Sequence, residues 1–435
     1  MNKILFKWSE LKATFWFIPV IIIIISVLLS VGLLYIDGLI HFSQDGLSRF
    51  FFVKSPDSAR SILSTISGAM IGVAGTVFSV TLVALTLASS QFGPRLIKNY
   101  MYVRLNQVVL GTYISTYLYC LLVLNAVKEG DDYTFIPSLS ILVAIFAAGT
   151  NIILLIIFIH QIAISIQADK VISDISDFIS KQLESLFPEK TEQENEGDEG
   201  LNSADAISGY PKKISIKSPK SGYLQYIDYE ALIELITRHD ALLELFYRPG
   251  GYLVEGMEIG LLHFNEDWDQ DELNKIFNQS VIGKTKTSQQ DLEYSIHQMV
   301  EIAARALSPG MNDPYTAINC IDNLTAIMSY LARSKFPSKH RFDKEGNLRI
   351  IADTVDFQGV LDAAFNQIRQ YSGGSTAVII RLMEALTIIH GFIEEDKYKK
   401  AVVRHAEMVL NFGKQTIKEK NDIQDLIRRS EGILQ

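Results

Sequence analysis

The polar groups best placed to hold a ligand recur at helical spacing. Between Asp291 and Leu307, residues His297, Glu301 and Arg305 fall four apart, so a helix sets them in one row. The opposite face carries Leu292, Ile296, Val300, Ala303 and Leu307. The loop that follows, Ser308-Pro309-Gly310-Met311-Asn312-Asp313-Pro314, leads into a second helix with unpaired first amides. An arginine beside such a terminus is the chemistry of anion capture. His297, Glu301, Arg305, Asn312 and Asp313 are therefore the candidate residues for a small anionic ligand. The same loop has a plainer use. Gly310 helps stop one helix, Asn312 or Asp313 caps the next, and Pro314 takes the first helical position. Asp313 competes with any ligand for the same amides, which weights the balance toward capping.

Other chemistries find less support. His297 and Glu301 alone are too few for a metal, and neither Cys120 nor Cys320 has the spacing of a zinc site. No Gly-x-Ser-x-Gly elbow, Walker loop or dinucleotide fingerprint occurs, and Gly283-Lys284-Thr285 lacks the upstream glycine loop of a phosphate cradle. The expectation is a protein that is not an enzyme and needs no cofactor or metal.

The elements that carry these residues belong to two environments. The chain has 435 residues, 48% hydrophobic and 20% charged, with a net charge of −9. The apolar excess lies before residue 168 and most of the charge after it, so one part belongs in lipid and one in water. The acidic balance excludes nucleic acid as a partner, and two cysteines exclude a disulfide framework. Four stretches meet the length of a membrane span: Phe15–Ile36, Leu63–Ser89, Val108–Val127 and Leu139–His160. The first follows Lys3, Lys7 and Lys12 but is longer than a signal core and lacks a clean cleavage site, so it stays as a span. Arg95, Lys98 and Arg104 follow the second span, whereas Glu129, Asp131 and Asp132 follow the third. The positive-inside rule then places both termini in the cytoplasm. Phe50, Phe51 and Phe52, between Arg49 and Lys54, suit a segment at headgroup level outside.

The second span has an unusual surface. From Ser61 to Phe92 no charge occurs. At 100° per residue, Ser61, Ser64, Thr65, Gly68, Gly72, Gly75, Thr76, Ser79, Thr86 and Ser90 fall in one sector of about 120°. Val73, Val77, Val80 and Ala84 face the other way, while Ser67, Thr81 and Ser89 are hydroxyls outside the sector. Such a seam packs on another helix or lines something wet. Gly68 and Gly72 make a small-xxx-small pair for packing. In a symmetric oligomer, Ser61, Thr65, Gly68, Gly72, Gly75, Ser79, Thr86 and Ser90 would line a path, and Leu82 and Val83 would be its hydrophobic gate. No span has an acid or base near its centre, and no inverted repeat is visible, which weighs against an ion-coupled carrier or a voltage sensor.

The remaining organisation follows from periodicity. The fourth span runs without charge to Asp169 and becomes amphipathic, with Ile172, Ile175, Ile179, Leu183 and Leu186 on one face. This predicts a continuous rod whose part over 169–187 couples membrane to cytosol. Residues 188–208 read as an acidic, flexible linker. A β-rich module over 209–264 follows, with strands at Lys213–Ser218 and Gly222–Ile227, a helix at Tyr229–Arg238, and short strands around Pro249-Gly250-Gly251 and Glu255-Gly256. Its glycines faintly resemble those of barrel-sandwich modules. Residues 265–435 read as a helical domain interrupted by a hairpin at Arg341–Ile351. The fold class is mainly α: a four-helix transmembrane domain, then a cytosolic α+β domain.

Three stretches in order resemble a family of predicted bacterial membrane proteins catalogued as domain of unknown function 2254. They are Gly72-Val-Ala-Gly75 through Phe92 with Pro94-Arg95, Asn106-Gln-Val-Val-Leu-Gly-Thr112, and Arg305-Ala-Leu-Ser-Pro-Gly-Met-Asn-Asp-Pro-Tyr-Thr-Ala317. The resemblance covers nearly the whole chain and implies the same four-span layout in a bacterial inner membrane, but no activity. The expectation is a homo-oligomeric, multi-pass channel or pore-like protein in the lipid bilayer. The alternative is a non-conducting anchor for a cytosolic binding or scaffolding domain.

Overall fold

The computed structural model describes residues 14–39, 53, 55–93, 104–129, 134–165, 167–187, 203–265 and 268–434. It divides into two compact units, Lys7–Gln167 and Ala168–Gln435. The N-terminal lysines, Phe50–Phe52 with their flanking charges, Arg95, Lys98, Asp131, Asp132 and the linker up to residue 202 lie outside the described residues.

The first unit holds α1 (Phe17–Leu39), α2 (Pro56–Phe92), α3 (Arg104–Ala126) and α4 (Ser138–Ser165). All four are long and apolar enough to cross a membrane. α2 is 37 residues long and begins earlier than its apolar run, because Ser55 caps it and Pro56 sits in its first turn. At 1.5 Å per residue it reaches about 55 Å, against about 30 Å of hydrocarbon. α3 is the central helix and packs on the other three. Gly111 permits this: a Cβ there would lie 3.0 Å from the Pro19 backbone and from Ile22 of α1.

Polar side chains join the helices where the hydrophobic effect cannot. Midway along α4, the Asn151 amide donates to Thr116 Oγ1 of α3 at 2.9 Å and approaches Met70 Sδ of α2 at 3.4 Å. Tyr113 of α3 donates to the Asn151 carbonyl at 2.7 Å. Near the end of α1, the Asp37 carboxylate accepts from the Leu139 and Ser140 amides at 2.9 and 3.0 Å and from Ser140 Oγ at 2.6 Å. One helix thus supplies the N-terminal cap of another.

The expected continuous rod is not formed. α4 ends at Ser165, Gln167 is not helical, and α5 spans Ala168–Leu186. The apolar stripe Ile172, Ile175, Ile179 and Leu183 is buried as a core element of the second unit. There α5 packs on α9 (Leu292–Ala306) and α10 (Pro314–Leu331). Gln182 accepts from Ser295 at 2.8 Å, and Tyr330 donates to the Phe187 carbonyl at 3.2 Å. Ser203–Ser208, read as linker, forms a short helix, α6.

The β-strands form two sheets. β1 (Lys212–Lys217), β5 (Glu258–Phe264), β3 (Leu242–Leu245), β8 (Leu348–Ala352) and β7 (His340–Phe342) make one, in that order. β4 (Tyr252–Leu253), β2 (Gly222–Ile227) and β6 (Ser280–Gly283) make the other. The module over 209–264 is therefore not closed by its own strands. β8 pairs in parallel with β3 from a point about 100 residues later, and β6 completes the small sheet. α7 (Tyr229–Arg238) and α8 (Gln270–Asn278) share their core, with Leu232, Ile236, Leu262, Ile276 and Ile350 buried together. Gly260 is required where β5 is flanked on both sides: a Cβ would lie 2.2 Å from the Glu244 carbonyl oxygen.

After β8 the chain is helical: α11 (Phe357–Tyr371), α12 (Thr376–His390), α13 (Asp396–Thr416) and α14 (Lys420–Leu434). His405 of α13 is 1% exposed and lies 2.9 Å from Asp362 of α11, which also accepts from Arg404. Burial pushes the His405 pKa down from 6.5, aided by Arg404 and Arg369 and opposed by the bond to Asp362. Burial pushes Asp362 upward, but hydrogen bonds from Arg404 and His405 outweigh it and hold it low. Below pH 6.5 the unfolded chain then binds a proton that folded His405 resists. Stability is full above that pH and falls as pH drops toward the lowered folded value, with Asp362 adding a loss nearer pH 4. The thermal midpoint should decline from pH 7 to pH 5, and His405→Gln should flatten that part of the curve. A variant that keeps the wild-type slope would assign the effect elsewhere.

Candidate functional site

The α2 seam is the first candidate, and its burial decides what it can touch. Ser61, Thr65, Gly68, Gly72, Gly75, Ser79, Thr86 and Ser90 are all exposed on the protomer. A Cβ built on Gly68, Gly72 or Gly75 would meet nothing within 4 Å. The intramolecular contacts use another face, with Leu63, Met70, Ala74, Val77 and Ala84 buried. Of the hydroxyls outside the seam, Ser67 and Thr81 are buried with them and Ser89 is half-buried. Val80, on the side away from the seam, is 39% exposed. Leu82 and Val83 are exposed at 48% and 59%. The seam is thus small, polar and free of contact with α1, α3 and α4 among the described residues.

Its hydroxyls have partners nevertheless. Thr65 donates to the Ser61 carbonyl at 2.7 Å, Ser79 to Gly75 at 2.9 Å and Thr86 to Leu82 at 2.9 Å. Thr76 does the same to Gly72 at 3.3 Å. Back-bonding of this kind satisfies a hydroxyl in lipid and leaves its oxygen lone pairs outward. Such a surface is compatible with close helix packing and with water.

The second candidate lies on α9 and the loop beyond it. His297, Glu301 and Arg305 share one partly buried face, as the spacing requires. Arg305 is held by Glu301 at 3.3 Å. Asp313 accepts from the Thr316 amide at 3.1 Å and from its hydroxyl at 2.6 Å, so it is the cap of α10. The bonds to Thr316 hold the Asp313 carboxyl below the usual range, against a smaller upward push from burial. Asn312 is exposed and takes the left-handed conformation, φ 48°, that turns the chain into the cap. The helix terminus that would have received an anion is occupied by Asp313, and the arginine is already paired. Asn312 and Asp313 thus form a capped turn, and Arg305 beside it is paired with Glu301. Among the described residues no group of three His, Cys, Asp or Glu is arranged to hold a metal.

Asn151 and Asp37 are polar positions that sequence reasoning passed over. A lone Asn inside an apolar run and an Asp just past one were the available signals, since both are costly in lipid without partners. Their partners lie at least 35 residues away, so the spacing alone could not reveal them.

Residues 12–387 match a family described as predicted membrane protein (DUF2254). An uncharacterized protein of Mycobacterium bovis is 31% identical over 391 residues, covering 86% of this chain and 72% of the relative. An uncharacterized protein of Mycobacterium tuberculosis shows the same identity and coverage, and one from a second strain is 30% identical. No solved structure matches the chain.

Proposed function

The chain belongs to the family of predicted membrane proteins DUF2254, and from that premise we propose that it is an oligomeric, pore-like protein of the bacterial inner membrane. Copies assemble on the α2 seam, and the termini and the second unit face the cytoplasm. The observation that carries this reading is the exposure of the whole seam in a helix whose other face is packed. Small and hydroxyl residues gain little from lipid, whereas they let helix backbones approach closely when copies meet. Uncharged hydroxyls around an axis would line a neutral path, and Leu82 and Val83 would close it by dewetting.

A second reading is favoured by the back-bonded hydroxyls: copies associate through a dry seam and conduct nothing. One pair of experiments separates them. Cysteines introduced singly at Gly72 and Ser79 should cross-link between copies in native membranes, and Gly72→Leu should abolish assembly. Leu82→Ser or Val83→Ser should then raise basal conductance in planar bilayers several-fold. Cross-linking without any conductance change would leave the dry assembly. Failure to cross-link in intact protein would remove the oligomer from both readings.

A further inference from the structure

The second unit contains a cavity of about 250 Å³, room for roughly eight waters at liquid density or for a small organic molecule. It is bounded by the end of α5, the Pro249 turn, the N-terminus of α9, β7 and the loop after β8. Its walls mix apolar surface, from Phe187, Pro249, Leu292 and Val355, with two arginines and the carboxylates of Asp291, Glu293 and Asp353. The arginines are not equivalent. Arg248 is paired: it donates to Glu293 at 2.8 Å and to the Thr354 carbonyl at 2.9 Å, and Asp353 is 4.0 Å away. Asp291 caps α9 through the Tyr294 amide at 2.9 Å and has Lys286 at 3.7 Å.

Arg341 is different. Its guanidinium lies 3.8 Å over the Tyr229 ring, and its buried Nε has no hydrogen-bond partner. Among the described residues no carboxylate lies within ion-pair distance of it. Stacking on an aromatic face orients a guanidinium without neutralising it; Arg341 also hydrogen-bonds the Tyr229 side chain, and its Nε–H is left for an oxyanion. A partly buried cation without an anion is costly unless something supplies the counter-charge. Asp353 does not: it is 46% exposed at the rim and turned to Arg248. Burial pushes the Tyr229 hydroxyl up, against the charge of Arg341 and a hydrogen bond with it, so it stays protonated and keeps its own proton to donate.

We propose that this cavity binds a small organic anion, its carboxylate or phosphate held by Arg341 and Tyr229 and its apolar body laid on Phe187, Pro249 and Val355. The site is separate from the α2 seam and from the capped turn at Asp313. It is also independent of the pore reading, since changes at Arg341 should leave cross-linking of α2 intact.

The test is isothermal titration of the full chain in detergent with benzoate, phenyl phosphate and inorganic phosphate. Saturable binding of benzoate or phenyl phosphate is expected, and the better of the two identifies the acid group. Inorganic phosphate should bind more weakly than phenyl phosphate because it lacks the apolar body. Arg341→Gln should weaken binding at least about tenfold, whereas Arg238→Gln, an exposed pair with Glu234, should leave it unchanged. Should Arg341→Gln fail to fold, Tyr229→Phe keeps the stacked ring and removes only the hydroxyl, and should weaken binding several-fold. No saturable binding of either organic anion, or equal binding by wild type and these variants, would overturn the assignment.

Discussion

Replacing Arg349 by methionine should destabilise the second unit by about 3–5 kcal/mol, the usual cost of stranding one partner of a buried ion pair. Arg349 of β8 is 7% exposed and donates through Nε to Asp343, 3% exposed, at 2.7 Å. Through Nη1 it reaches Asp240 at 2.7 Å, tying the β7–β8 hairpin to the corner before β3. Burial pushes the Asp343 carboxyl up, but hydrogen bonds from Arg349 and from Asn347 together hold it low. Without Arg349 that carboxylate is left buried with only turn amides around it. The urea midpoint of the full chain, followed by circular dichroism, measures the effect. A double variant, Arg349→Met with Asp343→Leu, should recover much of the loss, because no charge remains to strand. A single variant within about 0.5 kcal/mol of wild type would mean that the pair adds nothing.

Asp37→Ala should cost the membrane unit about 2–4 kcal/mol. Two amides and one hydroxyl of α4 lose their shared acceptor, and hydrogen bonds to a charged group contribute about 1.5–3 kcal/mol each before any compensation by water. Asp37 is 8% exposed, so little water is at hand to replace it. Asp37→Asn retains one carbonyl oxygen and should fall between the two. Thermal unfolding in detergent, read on the full chain, orders the three proteins. Asparagine as unstable as alanine would mean that the charge, not a single acceptor oxygen, carries the cap; both matching wild type would mean that the cap adds nothing.

Local features of the fold were legible because their causes are local. β2 and α7 stand where alternation and helical periodicity put them, and Asp228, Asp291, Asp313 and Asp356 each cap the helix that begins one residue later. Those bonds join residues three apart, so the sequence carries them directly. The four spans were legible for the same kind of reason: an uninterrupted apolar run has few alternatives to a membrane helix.

What tertiary structure decided involves partners far apart in the chain. The apolar stripe of α5 predicts that the helix is half buried, but not that α9 and α10 would claim it. Nothing near β3 announces that β8, about 100 residues later, pairs with it in parallel. Arg305 has the sequence context of an anion site and is paired with Glu301, while Arg341, in an ordinary hairpin, is left over Tyr229 without a carboxylate. By itself the sequence determined the four spans and most of the longer helices, because hydrogen bonds and hydrophobic periodicity act within a few residues; short elements such as Ser203–Ser208 and Ser280–Gly283 were not legible in it. Which charges would be neutralised, and which polar faces left open, depended on groups that meet only once the chain has folded.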